Sequence, residues 1–209
     1  MAPPANSTAV RFLHESVQFT LSAPEQARGI RRIVGYLARA YGVSDDEVAL
    51  LVLDPRAEYL RFAAPDYLSR LEAVLPFQPH LSIAGASLWE RKVKVENDLP
   101  AVNHLSYFET VKQFNPRPFR IGKILTIPIC AGRIPVGVVQ ISRKLEPGQP
   151  VGPDFSREAA VHVEEIELII SRLLQSLRSA GSSPSIEAKP RKFKRASGRP
   201  FRLLHGERQ

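Results

Sequence analysis

Two apolar segments separated by a short glycine-containing turn constrain the fold of this chain more than any other feature. The first runs from Ile124 to Cys130 and the second from Pro135 to Ser142, and the intervening residues 131–134 are Ala-Gly-Arg-Ile. β-Branched residues are frequent in both segments, and a connection of this length that contains glycine is typical of a β-hairpin. The segments therefore predict two neighbouring antiparallel strands, and with them a fold built on an antiparallel sheet.

The rest of the sequence alternates between helix and strand patterns. Ser22 and Glu25 form a capping-box pattern ahead of a helix that Gly42 ends. The remaining predicted elements are a hairpin of strands at 48–53 and 58–63, helices at 66–75 and 82–91, a strand at 92–96, a short helix at 106–114, and a long helix that begins at Asp154 or Ser156 and continues to Leu177. This order favours an α+β fold in which an antiparallel sheet carries helices on its faces.

Positive charge is concentrated at the C-terminal end of the 209-residue chain. Of the formal net charge of +8, residues 181–209 carry +6, from eight basic and two acidic side chains, and the remainder carries +2. This tail begins Gly-Ser-Ser-Pro-Ser and has no apolar period, so we expect it to be disordered. The sequence thus predicts an N-terminal extension at 1–24, a folded domain at 25–180 and a basic tail at 181–209.

The sequence argues against several classes of protein. The chain has one cysteine, Cys130, and five histidines without metal-ligand spacing, so we expect neither an intrachain disulfide nor a metal site. It shows no signal peptide and no apolar stretch of the roughly 20 residues that a membrane helix needs, and we expect a cytoplasmic protein. Phosphate-binding loops, dinucleotide fingerprints and hydrolase nucleophile motifs do not occur. We therefore expect no enzymatic activity and assign no cofactor.

Four short motifs occur in an order that resembles a GAF domain. They are Ser82-Ile-Ala-Gly85, Val95-Glu-Asn-Asp98, Leu125-Thr-Ile-Pro-Ile129 and Pro135-Val-Gly-Val-Val-Gln-Ile141, and the resemblance covers roughly residues 25–178. It implies an antiparallel sheet of about six strands, a small-molecule pocket on one face of the sheet, and dimerisation through the terminal helices.

The chain departs from three specialised versions of this fold. Cyclic-nucleotide-binding GAF domains carry an Asn-Lys, Phe and Asp-Glu signature, whereas here Arg143 stands at the Asn position and Glu158 stands alone for the acidic pair. Bilin-binding relatives have a histidine beside the attachment cysteine, which Cys130 lacks, and the related methionine-sulfoxide reductases use several cysteines. We expect Lys144 and Glu158 to form the residual lysine–carboxylate pair, with a structural role.

Five polar residues are candidates for ligand contact in the pocket that the resemblance implies. Asn97 and Asp98 end a strand, His104 and Tyr107 lie where that strand leads into the predicted helix at 106–114, and Thr126 is the polar interruption of an apolar strand. Four of them have a structural alternative: a turn or cap for Asn97 and Asp98, a solvated surface position for His104, and a bond to backbone for the Thr126 hydroxyl. Both roles stay open at this point.

The last predicted helix carries an apolar stripe at positions 159, 163, 166, 170, 173 and 177, which Val161, Leu168, Ile169 and Leu174 widen beyond what one sheet face requires. We expect this stripe to form a homodimer interface, so that replacing Ile170 and Leu177 by glutamate gives a monomer. Two functions then compete. One is a stand-alone sensory module that binds an unidentified small molecule and signals through its paired helices to a downstream protein. The other is an interaction protein with a vestigial pocket, whose basic tail binds nucleic acid, anionic lipid or an acidic partner.

Overall fold

The computed structural model describes residues 21–99, 120–145, 148 and 150–180. The helices are α1 (Ala23–Tyr41), α2 (Asp66–Arg70), α3 (Ile83–Glu90), α4 (Val161–Glu164) and α5 (Glu167–Ala180), with short 3-10 helices at Asp45–Glu47 and Arg157–Ala160. The strands are β1 (Val48–Leu53), β2 (Tyr59–Ala64), β3 (Val74–Pro76), β4 (Lys94–Glu96), β5 (Arg120–Ala131) and β6 (Ile134–Leu145). The predicted helix at 106–114, the basic tail and residues 1–20 of the predicted extension lie outside the described residues.

These six strands form one sheet in which every neighbouring pair is antiparallel. Their order is β3-β2-β1-β6-β5-β4. The predicted hairpin is formed by β5 and β6, which are 12 residues long each and turn at Gly132 and Arg133. At Gly137 in β6 the sheet leaves no space for a side chain, because a Cβ there would collide with the Leu51 carbonyl oxygen. The α+β prediction with an antiparallel sheet of about six strands is confirmed.

Helices cover both faces of this sheet. On the α1/α5 face, α1 and α5 pack on β1, β5 and β6 through one large cluster that includes the fully buried Ile33 and Leu37. On the α2/α3 face, α2 and α3 cover a second cluster that includes Leu51 and Phe62. Burial of each such side chain contributes about 1.5–3 kcal/mol, so both layers of helix are anchored by the apolar face they present. No helix of the described residues is long and apolar enough to cross a membrane.

The ends of α1 follow directly from the sequence. Glu25 Oε2 accepts hydrogen bonds from the backbone N–H of Ser22 at 2.8 Å and from its hydroxyl at 2.7 Å. At the other end, Gly42 takes the left-handed conformation, with φ of 62°, and its N–H bonds to the Arg39 carbonyl at 3.3 Å. Both predicted boundaries are confirmed.

The predicted helix at 66–75 is wrong in its second half. The helix α2 ends at Arg70, Glu72 takes a left-handed conformation with φ of 51°, and Val74–Pro76 pairs with β2 as the edge strand β3. The spacing of Leu68 and Leu75 fits a helix and also fits this arrangement, because both side chains are buried in the same cluster. Pairing with β2 provides hydrogen-bond partners for the backbone N–H and C=O groups of residues 74–76. The spacing of apolar side chains does not show which partners these backbone groups have.

The predicted long final helix is divided into the 3-10 helix Arg157–Ala160, α4 and α5. At the division, the Tyr36 hydroxyl donates to Glu165 Oε2 at 3.0 Å. The predicted stripe lies within the core of its own chain: Ala159 packs against the cluster on the α1/α5 face, and the other five positions are buried members of it, namely Val163, Ile166, Ile170, Leu173 and Leu177. These side chains contact the sheet and α1, so the stripe is not the dimer interface that the sequence predicted.

Candidate functional site

A buried hydrogen bond between two side chains lies in the central strands of the sheet. Thr126 of β5 and Gln140 of β6 are directly opposite each other, and Gln140 Nε2 donates to Thr126 Oγ1 at 3.1 Å. Thr126 is 0% exposed and Gln140 is 4% exposed. Burying such a polar group without a partner costs about 1–3 kcal/mol, so each side chain depends on the other.

This pair belongs to the α2/α3 face. Gln140 is opposite Ala49 of β1, and Ala49 belongs to the cluster that α2 and α3 cover. The helix α3 is fixed over β5 by Ser87, whose hydroxyl donates to the Lys92 carbonyl at 2.8 Å and contacts the Thr126 carbonyl at 3.5 Å.

The Ser82-Ile-Ala-Gly85 motif determines where α3 begins. Ser82 Oγ accepts from the N–H of Gly85 at 2.9 Å and so caps the first turn. A Cβ at Gly85 would lie 2.7 Å from the Gln78 carbonyl oxygen, so glycine lets the preceding loop pass against the helix. The motif thus positions α3 against the sheet.

A narrow cavity lies beside Gln140. It comprises about 270 Å³ free of protein atoms, part of it open to solvent, of which about 10 Å³ admits the centre of a water molecule. That inner space holds about one water molecule. The lining residues are Asp46, Glu47, Ala49, Tyr67, Ile121, Ile124, Gln140 and Ser142.

Two polar atoms of the lining residues have no hydrogen-bond partner. Three buried side-chain atoms of the described residues lack one, and two of them, Tyr67 Oη and Gln140 Oε1, belong to residues that line this cavity. Burial, with a smaller contribution from Asp46, raises the pKa of Tyr67 to about 12, so its hydroxyl keeps its proton at neutral pH. Leaving a buried polar atom unpaired costs about 1–3 kcal/mol, and the water molecule that the inner space holds can offset this cost.

The 3-10 helix before β1 supplies the acidic side of the cavity. Asp46 binds Lys144 Nζ and also accepts from the Ser44 hydroxyl at 2.6 Å. Glu47 accepts from the backbone N–H of Lys144 at 2.7 Å and from the backbone N–H of Ser44 at 2.8 Å. Burial acts to raise the pKa of Asp46, but the hydrogen bonds from Lys144 and Ser44 outweigh it and hold that pKa below its ordinary value. Asp46 is therefore ionised beside the cavity.

The prediction that Lys144 pairs with Glu158 is wrong, because the carboxylate partner of Lys144 is Asp46. Lys144 ties the last strand to Asp46 in the 3-10 helix that precedes β1. The Glu158 carboxylate accepts from its own backbone N–H and from the Ser156 hydroxyl, and these bonds lower its pKa. Glu158 thus caps the start of the final helical region.

The structure describes three of the five residues predicted from the sequence, and Asn97 and Thr126 make separate hydrogen bonds. Thr126 belongs to the buried pair beside the cavity. The Asn97 amide makes two bonds to the backbone of Phe155, donating to its carbonyl and accepting from its N–H, each at 2.9 Å. Asp98 is exposed. His104 and Tyr107 lie outside the described residues.

Gln140, Tyr67 and Ser142 line the cavity and were not predicted. Gln140 could have been predicted from the sequence, because this polar residue interrupts an apolar strand as Thr126 does. Counting residues in both directions from the turn at Gly132 also places Gln140 and Thr126 nearly opposite each other. Tyr67 could not have been predicted in this way. Its helical spacing indicates a core residue, but the spacing does not show which residues surround its hydroxyl group.

The one cysteine lies apart from the cavity. Burial raises the pKa of the Cys130 thiol, which disfavours the reactive thiolate. In the part of the chain that the structure describes, no three histidine, cysteine or acidic side chains form a group that could hold a metal ion.

Comparison with solved structures identifies the fold. The GAF domain of a phosphoenolpyruvate-protein phosphotransferase from Acinetobacter is similar, with a TM-score of 0.58 and 16% identity over 87% of this chain and 99% of that one. A GAF domain of the same kind of enzyme from Coxiella burnetii has a TM-score of 0.56 and 15% identity over 85% and 99%. A free methionine-R-sulfoxide reductase from Neisseria meningitidis, solved with its substrate, has a TM-score of 0.53 and 14% identity over 86% and 96%. The sequence matches no protein-family model and no curated protein. The chain has a GAF-like domain.

Proposed function

We propose that this chain is a GAF-type sensory module that binds a small molecule in the cavity beside Gln140 and regulates a downstream protein. The observation that carries the proposal is a cavity on the α2/α3 face whose lining includes the polar side chains of Tyr67, Gln140 and Ser142. A ligand that hydrogen-bonds to these side chains would be held beside the buried Thr126–Gln140 pair. The two similar GAF domains of phosphotransferases support a regulatory role of this kind.

A physical route leads from the cavity to the helices on the opposite face. The lining residues Gln140 and Ser142 lie on β6, and Ser142 is followed directly by Arg143. The Arg143 guanidinium donates to the carbonyl of Tyr41 at the end of α1 at 3.2 Å and lies 4.8 Å from the centre of the Phe155 ring. A ligand that favours one position of this part of β6 would shift the population of α1 and of the segment before the last helices.

We propose binding rather than catalysis. One similar structure is a sulfoxide reductase, and such an activity here would require a reactive thiol. The only cysteine is Cys130, whose pKa is raised by burial and which does not line the cavity. The hydroxyl and amide groups of the lining are suited to hydrogen bonding.

The test is ligand-induced thermal stabilisation of the full chain across a broad metabolite panel. A ligand present at 100 times its Kd stabilises by about 2.7 kcal/mol, which shifts the Tm by about 5–10 °C for a domain of this size. The double variant Thr126→Val/Gln140→Met should lose the shift, whereas Gln26→Met should keep it. Gln26 is a matched control because it is also buried and bonded to a side chain, Ser176, but lies on the α1/α5 side. No shift with any compound, or the same shift in the double variant, would count against the proposal.

A homodimer is part of this proposal, with a different interface from the buried stripe. Val161 of α4 and Leu168 of α5 are apolar and are 44% and 52% exposed. Exposed apolar side chains of this kind support pairing with a second copy of the chain. Pairing here would let a change in helix position reach the partner protein.

A further inference from the structure

The solvent-facing surface of α1, α4 and α5, called the outer helix surface below, is built from antiparallel helices. Gln26 near the start of α1 donates to Ser176 Oγ near the end of α5 at 3.0 Å. Tyr36 near the end of α1 donates to Glu165, between α4 and α5, at 3.0 Å. The first half of α1 therefore lies beside the second half of α5, and the end of α1 lies beside the end of α4.

One end of the outer helix surface is basic. Arg172 is the exposed charged residue that the second half of α5 places there. The first half of α1 adds three exposed arginines and one exposed glutamate, namely Arg28, Arg31, Arg32 and Glu25. Four arginines against one carboxylate give this end a net positive charge.

The other end of the outer helix surface is acidic. Glu164 ends α4, Glu165 follows it, and both are exposed. Burial is the main cause of the raised pKa of Tyr41, and both carboxylates add to it, so they lie near the end of α1. Arg39 is also exposed on this half of α1, but its guanidinium reaches back to within 3.5 Å of where a Cβ on Gly35 would be. Its charge is thus displaced toward the middle of the helix.

An exposed apolar residue stands between the two ends. Leu168 is 52% exposed, and in the sequence it lies four residues after Glu164 and four residues before Arg172. A two-fold axis beside Leu168 and perpendicular to α5 would place the basic end of one copy against the acidic end of a second copy. A two-fold axis parallel to α5 would instead place like charges against each other, which is unfavourable. The charges of this surface therefore complement those of its own copy in one orientation.

We propose that the second copy docks on the outer helix surface in the antiparallel orientation, with Leu168 against Leu168 of the partner subunit and Arg172 opposite Glu164 of the partner subunit. This inference rests on the proposed function, of which the homodimer is a part, and it specifies the orientation of that homodimer. The charged pair occurs twice because of the two-fold symmetry. Contact between the two leucines removes apolar surface from water, and the charges select the orientation.

The test is reversal of each charge, with the dimer Kd of the full chain measured by analytical ultracentrifugation at low salt. Arg172→Glu and Glu164→Arg each place like charges opposite each other at two positions in the dimer. Each should raise the Kd at least about tenfold, and the difference should shrink as salt is added. In the double variant the opposite charges face each other again with their places exchanged, so the Kd should return to that of the unmodified chain.

Arg70→Glu is the matched control for net charge. It changes the charge of the chain by as much as Arg172→Glu does, but Arg70 lies on α2 and is 82% exposed there. The dimer Kd of this variant should equal that of the unmodified chain. Circular dichroism should show that all the variants are folded, because every substituted side chain is exposed.

The outcomes distinguish this inference from the proposed function. A dimer Kd that is unchanged in either single variant would overturn the antiparallel orientation and leave the homodimer standing. Single variants that weaken the dimer, combined with a double variant that does not restore it, would overturn the pairing of Arg172 with Glu164. An unmodified chain that is monomeric at every concentration would overturn both this inference and the proposed homodimer. Ligand binding in the cavity is measured separately, by the thermal shift.

Discussion

A single buried amide illustrates how side chains in this sheet depend on each other. Gln140 is held by Thr126 on the opposite strand, and both side chains are buried. Sequence reasoning identified Thr126 because a polar residue interrupts an apolar strand, and the same argument extends to Gln140. It did not identify Tyr67, because the position of a hydroxyl depends on how α2 packs, which no local pattern encodes.

The pair predicts a non-additive effect on stability. Thr126→Val leaves the Gln140 amide unpaired and should lower the free energy of unfolding by about 1–3 kcal/mol. Gln140→Met should cost less, because it also removes the unpaired Oε1. In the double variant the two apolar side chains meet, so its loss should be smaller than the sum of the single losses. Urea denaturation of the four proteins gives the coupling, and additive losses would show that the hydrogen bond contributes nothing.

Asp46 predicts a pH dependence. Its pKa is lowered in the folded state, so its contribution to stability is present above the pKa of the unfolded chain and is lost as the pH falls through the folded value. Asp46→Asn should therefore lower stability by about 1 kcal/mol at pH 7, discounted for partial exposure of the side chain. The difference from the unmodified chain should begin to shrink as the pH falls below about 4, the unfolded pKa, and should vanish only below the lower folded pKa.

The matched control is Asp66→Asn. Asp66 also pairs with a basic residue, Arg70, but the two side chains are 74% and 82% exposed, and the substitution should have almost no effect. Denaturation at a series of pH values measures both variants. An Asp46→Asn difference that persists unchanged into acid would show that the carboxylate charge is not its source.

At the scale of whole elements, the sequence predicted the presence of helices and strands better than it predicted which elements they pack against. The two hairpins, α1 and α3 follow from apolar periodicity and from capping and turn residues. Periodicity was misleading for residues 66–75, where tertiary pairing with β2 converted a helical pattern into a strand. It was also misleading for the last helix, because an apolar stripe that packs on the chain's own sheet has the same spacing as one that packs on a second chain.

The last helix therefore gives a prediction opposite to the one made from its sequence. Ile170 is fully buried against the sheet, so Ile170→Glu should unfold the domain, because an unpaired buried charge costs several kcal/mol. Leu168→Glu together with Val161→Glu should leave the domain folded and convert the proposed homodimer into a monomer. Circular dichroism and light scattering measure the two properties.

Ile134→Glu is the matched control for the exposed face, since Ile134 is 57% exposed at the start of β6. It should leave both folding and dimerisation unchanged. A folded Ile170→Glu domain would contradict the packing of α5 on the sheet. A dimer that survives Leu168→Glu/Val161→Glu would place the interface elsewhere.

At the scale of the molecule, charge separates the chain into two parts. Residues 181–209 carry +6 of the +8 and lie outside the described residues, and the remainder is nearly neutral. Truncation after Ala180 should leave the domain folded with its cavity intact. If the tail binds phosphates, the full chain should bind a single-stranded oligonucleotide and the truncated chain should not, with affinity falling steeply as salt rises. Equal binding by both, measured by fluorescence anisotropy, would place the anion site in the domain.

The most direct test of the central claim, that a small molecule binds in the cavity lined by Tyr67 and Gln140, is a crystal structure of the full chain soaked with the panel compound that gives the largest thermal shift. Electron density for that compound should lie within hydrogen-bond distance, about 2.7–3.2 Å, of at least one of these two side chains. A cavity that holds only water in the soaked crystal would contradict the claim.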